Sequence, residues 1–102
     1  MTLGEAIGSV VATLAGVESR PEADGSTSWS IEGEVFAILS ADGGAASFRL
    51  DPVLAAAARR TPDATESPRG VEWVAFAPVV VDAHAIDRAG AWASAAYRRA
   101  RR

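Results

Sequence analysis

The chain of 102 residues contains no cysteine, no lysine, no asparagine and no glutamine, and a single histidine, His84. Each absence removes a class of chemistry. Without cysteine there are no disulfides, thiolate nucleophiles, iron–sulfur clusters or thiolate zinc sites. Without lysine there is no Schiff-base nucleophile and no phosphate-loop lysine. One histidine rules out a His-rich metal site or a histidine relay within one chain. The lack of Asn and Gln removes the side chains that read adenine edges, so contacts with nucleic acid are expected mainly on phosphates. Large anchors are also scarce: three Trp, three Phe and one Tyr, while alanine supplies 23 residues of the hydrophobic share. A thin core within one domain is expected.

The composition that is present, 49% hydrophobic and 23% charged, belongs to a globular chain. Net charge is −3 with a pI near 5.0, which on average repels nucleic acid and anionic membranes. The longest apolar run, Trp73 to Val81, is broken by Pro78 and too short for a membrane span. No cleavable signal pattern is evident, so a cytoplasmic location is the expectation. The Ala/Arg-rich, Lys-free usage resembles that of a GC-rich bacterial genome.

Thr2 and Glu5 have capping-box spacing, and Leu3, Ile7, Val10 and Leu14 fall on one stripe, predicting a helix over 3–15. Residues 18–28 read as a loop, with a short edge strand near Val17. Alternation over 28–32, a Glu32-Gly33 turn and a returning strand over 34–40 predict a hairpin with Trp29 opposite Phe36. A three-residue loop, Ala41-Asp42-Gly43, with Gly43 at positive φ, leads to a strand over 45–50. It sets Phe36 opposite Phe48 and gathers Trp29, Ile31, Phe36, Ile38, Ala46, Phe48 and Leu50 on one face. Asp51-Pro52 starts a second helix ending at Arg59 or Arg60. Residues 61–70 read as a loop. A strand over 72–81 follows, at an edge or bulged near Pro78. Asp82 caps a final helix over 83–100, with Ile86, Ala89, Gly90, Ala93, Tyr97 and Ala100 on its apolar stripe. Gly90 implies close approach to the sheet. The order α-β-β-β-α-β-α predicts an α+β domain, an antiparallel sheet with helices on one face.

Several segments, in order, resemble the MmcQ/YjbR family. They are Leu14-Ala15-Gly16-Val17-Glu18; Arg20-Pro21, Gly25 and Trp29-Ser30-Ile31-Glu32-Gly33-Glu34-Val35-Phe36; Phe48-Arg49-Leu50-Asp51-Pro52; Pro68-Arg69-Gly70 with Trp73-Val74; and Asp82 with the helix ending at Tyr97. The resemblance implies a compact α+β domain shaped like secretion chaperones and frataxin-like proteins. It implies DNA binding through paired wings and no enzymatic activity. Glu34 stands where the family's hairpin carries lysine, and the proline before Trp29 is missing. The first departure replaces a positive wing tip with a negative one.

No residue set suggests catalysis. His84 reads as an exposed first-turn residue, Asp82 as a cap, Asp87 as a solvated helix residue, and Glu32 and Glu34 as turn carboxylates short of a calcium loop. The serines lack a nucleophile-elbow context. No enzyme, metal or cofactor is expected. The arginines are the one chemical concentration. Arg98, Arg99, Arg101 and Arg102 suit a helix C-terminus, or contact an anion or nucleic acid together with Arg49, Arg69 and Arg20. Trp92 lies at the rim of the final helix's stripe with Arg88 one turn earlier, a candidate aromatic–arginine patch for a base or a protein partner. Two functions follow: a weak, non-specific nucleic-acid-binding accessory protein, or a non-enzymatic protein-interaction or chaperone-like adaptor, monomeric or weakly dimeric.

Overall fold

A computed structural model describes residues 1–102. Helix α1 spans Leu3–Val11, and the capping box forms: Thr2 Oγ1 accepts from the Glu5 amide while Glu5 Oε1 accepts from the Thr2 amide. The helix is shorter than the apolar stripe suggested. Tight turns from Val10 and Val11 replace its last turn before Gly16 adopts φ +80°. Thr2→Ala should cost about 1 kcal/mol in a urea titration, the usual worth of an N-cap side chain.

Six strands follow: β1 (Val17–Pro21), β2 (Thr27–Ile31), β3 (Glu34–Leu39), β4 (Ala46–Arg49), β5 (Ala64–Ser67) and β6 (Gly70–Phe76). Helix α2 (Pro52–Ala58) lies between β4 and β5, and α3 (Ala83–Ala100) closes the order. All pairings are antiparallel and the sheet order is β1-β2-β3-β4-β6-β5. The α+β class holds, with two strands more than the α-β-β-β-α-β-α order. β1 is a full edge strand, and β5 forms within the segment read as a loop. β6 ends at Phe76, before Pro78, and lies between β4 and β5 rather than at an edge. No helix is long and apolar enough to cross a membrane.

The Glu32-Gly33 turn forms with both residues at positive φ (51° and 82°), the geometry of a two-residue hairpin turn. The register beyond it differs from strict alternation. A bulge makes Phe36 an extra residue, so Trp29 faces Ala37 and Ser30 faces Val35. Ala37, not Phe36, then sits opposite Phe48. Phe36 and Ala37 both turn into the core, and Ile38 moves to the opposite face. The β3–β4 loop is longer than expected: the Ser40 amide bonds the Ala45 carbonyl, and Gly43 has φ +75°.

Every buried apolar residue belongs to one cluster. Phe36, Phe48, Val74 and Phe76 from the sheet meet Leu3 and Ile7 of α1, Ala55 and Ala58 of α2, and Ala85, Ala89, Trp92, Ala93, Ala96 and Tyr97 of α3. The alanines let α3 lie close to its neighbours. At Gly90 an added Cβ would meet Val10 Cγ2 at 3.2 Å, so this glycine serves contact with α1 and not with the sheet. Tyr97 Oη donates to the Ala15 carbonyl at 2.6 Å, fastening α3 to the turn after α1.

Candidate functional site

The arginines divide into those spent inside the fold and those left at its surface. Arg49, at the end of β4, donates to Glu34 Oε1 (3.0 Å) and Glu72 Oε2 (3.1 Å). Arg99, near the end of α3, donates to the same Glu72 oxygen at 2.7 Å and lies 3.7 Å from Asp51. Arg102 pairs with Asp51 at 2.8 Å. Three arginines thus meet three carboxylates in a neutral chain along one end of the sheet, joining β3, β4, β6, the start of α2 and the end of α3. The Arg49 hydrogen bond, with the charges of Arg99 and Arg49, holds the Glu72 carboxyl below its ordinary range. A lowered folded-state value stabilises the fold above the unfolded glutamate pKa and ceases to do so as pH falls through the folded one. Below about pH 4.5, the native chain should therefore lose stability more steeply than Glu72→Gln in acid-dependent thermal melts. The side chain is partly solvated, so a modest difference is expected.

The remaining predicted contacts are scattered. Arg98 donates to Ser94 Oγ one turn earlier, and Arg101 lies over the Tyr97 ring at 5.7 Å. Arg88 is half-buried on α3, and Arg20 is exposed on edge strand β1. The Arg88–Trp92 patch is not formed. Trp92 is only 8% exposed and packs edge-on against Phe76 and Phe48, with centroids 5.1 and 6.1 Å away. The short side chains of Ala89 and Ala93 leave room for the indole to turn inward from the rim of the stripe.

The structure does bring Arg69 together with Arg49 around one shallow hollow with Glu72 and Trp73. Arg69 sits at the tip of the β5–β6 turn and places its guanidinium 5.6 Å from the Trp73 ring centroid. Trp73 stands on the face of the sheet away from the core cluster. There a groove of about 480 Å³ runs between the 22–26 loop and Arg69. Val35, Ile38 and Trp73 give it an apolar floor; Ser26, Ser28, Glu22 and Asp24 form its wall. Ser28 Oγ donates to Glu22 Oε1 at 2.8 Å. The Ser26 hydroxyl and amide both donate to Asp24 Oδ1, at 2.6 and 2.9 Å. These bonds, hydroxyl first, with Arg69 adding its charge, keep the Asp24 carboxyl below its ordinary value.

This groove was missed in the sequence. In the sequence Trp73 stands out only as a strand residue and as part of the Trp73-Val74 resemblance, and the bulge that sends Ile38 to this face breaks the alternation that assigns faces. Ser28 and Ser30, alternating with Trp29 and Ile31, are the one signal of a second, polar face. His84 is exposed at the start of α3. No group of three His, Asp or Glu side chains is placed to hold a metal ion. No protein-family model matches the chain, and no curated protein matches it.

Proposed function

We propose that this chain is a non-enzymatic protein-interaction module that works through the open face of its sheet. The observation that carries the reading is the groove: the single core lies on the other side of the sheet, and the groove's size falls within the range of binding sites, about 300–1,000 Å³. The ionic rim argues in the same direction. Arg49, Arg99 and Arg102 are neutralised by the chain's own carboxylates, which weakens a phosphate-binding surface. The ordered motifs support membership of the MmcQ/YjbR family, and the Ala/Arg-rich, lysine-free composition supports a bacterial source. Exposed Arg98 and Arg101 support the second reading, weak contact with nucleic acid.

Photocrosslinking separates the two. With a benzophenone amino acid at Ser47, on the open face, a protein adduct is expected in cells. The same group at Ala91, exposed on α3, should give none. Equal adducts at both positions would count against the reading. So would micromolar binding of labelled duplex DNA at low salt that is abolished by Arg98→Ala with Arg101→Ala.

A further inference from the structure

The groove combines three features that together recognise one kind of group. The first is the face of Trp73, an electron-rich surface that attracts cations. This indole is only partly buried, whereas Trp29 and Trp92 are core residues. The second is a pair of oriented carboxylates. Ser28 and Ser26, whose residues are 6% and 7% exposed, hold one oxygen each of Glu22 and Asp24. Glu22 Oε2 and Asp24 Oδ2 are left without a hydrogen-bond partner. The third is Arg69, whose guanidinium already lies over Trp73 and lines the same groove as the two acids. Two carboxylates against one arginine leave the groove with an excess negative charge.

We infer that the groove is a guanidinium site: it takes an arginine side chain of a protein partner, and Arg69 is a tethered occupant that the partner's arginine displaces from Trp73. A planar guanidinium suits these groups better than an ammonium. It can stack on an indole and at the same time offer edge donors, each in a fixed direction, to carboxylates that line the same groove. Arg69 is free to leave because it sits on an exposed turn and makes no side-chain hydrogen bond to either acid. The assignment rests on the open-face reading above and adds the chemistry of the partner.

The test uses the full chain, its Arg69→Ala variant, and two capped single-residue probes, arginine and its neutral near-isostere citrulline. Quenching or shift of Trp73 fluorescence reports occupancy, with Trp73→Phe as the blank. Arg69→Ala should bind the arginine probe about three- to fivefold more tightly than the native chain, the scale of one exposed cation–π contact removed from competition. Citrulline should give no saturable change, and Asp24→Asn in the Arg69→Ala background should reverse the gain. Circular dichroism verifies that each variant is folded. Equal affinity of the native and Arg69→Ala chains, an equal response to citrulline, or no saturable response in Arg69→Ala at millimolar probe each overturns the assignment. If protein adducts still form at Ser47 in that case, the guanidinium assignment alone falls and the open-face reading stands.

Discussion

Trp92→Ala should lower the unfolding free energy by about 3–5 kcal/mol, the cost of deleting a buried aromatic and leaving its cavity. The indole is held between Phe76 and Phe48 in two edge-to-face contacts. Such pairs are each worth about 0.5–1.5 kcal/mol beyond their burial. Its neighbours on α3 are alanines, which have no spare side chain to fill the space. A domain of this size has about 5–15 kcal/mol of total stability, so the variant should melt roughly 15–30 °C lower or fail to accumulate. Trp92→Phe keeps one ring in the slot and should recover more than half of the loss. Differential scanning calorimetry measures both. A melting temperature within a few degrees of the native chain in Trp92→Ala would mean that the indole is not part of the core.

Phe36→Ala should be comparably severe, about 3–5 kcal/mol in a denaturant titration. Phe36 is fully buried and meets Tyr97 edge-on at 5.9 Å. It is the extra residue of the bulge in β3, and its burial holds the bulge's geometry in place. The adjacent Val35→Ala is the informative control. Val35 faces Ser30 on the open side and is only half-buried, so it should cost well under half as much. If β3 followed simple alternation, Ile38 would share the core face with Phe36, and Ile38→Ala would be costly as well. An Ile38→Ala cost as large as that of Phe36→Ala would overturn the observed register.

The elements most legible in the sequence were those set by local chemistry. Thr2 with Glu5, Asp82 ahead of Ala85, Asp51-Pro52 and Glu32-Gly33 each act within four residues, and each cap or turn begins or joins an element where expected. At Asp51 the helix begins with proline in its first turn but without a side-chain cap bond. The carboxylate is engaged instead by Arg99 and Arg102, an attraction across the chain that local spacing does not encode. The missed features share that long-range origin. β5, Ala64-Thr65-Glu66-Ser67, has no strong strand former other than threonine and exists because β6 offers it an unpaired edge. The extra residue of the bulge, Phe36, packs against Tyr97 from the other end of the chain. The candidate site suffers most from this. Its floor comes from β3 and β6, its acidic wall from the loop before β2, and Arg69 from a turn in a segment that looked unstructured. Only the Pro68-Arg69-Gly70 sequence, a turn signature before a strand, hinted that Arg69 occupies a defined position.

The placement of α3 has a consequence for biosynthesis. The strands from β1 to β4 are joined by short turns and can pair as soon as they leave the ribosome. Their apolar face, however, has its principal cover in α3, whose Trp92, Ala93, Ala96 and Tyr97 complete the core. Until those residues clear the exit tunnel, the emerged strands present Phe36 and Phe48 to their surroundings, the kind of surface that holdase chaperones bind. Exposure of that face therefore lasts until α3 has emerged, and docking of a single alanine-rich helix ends it.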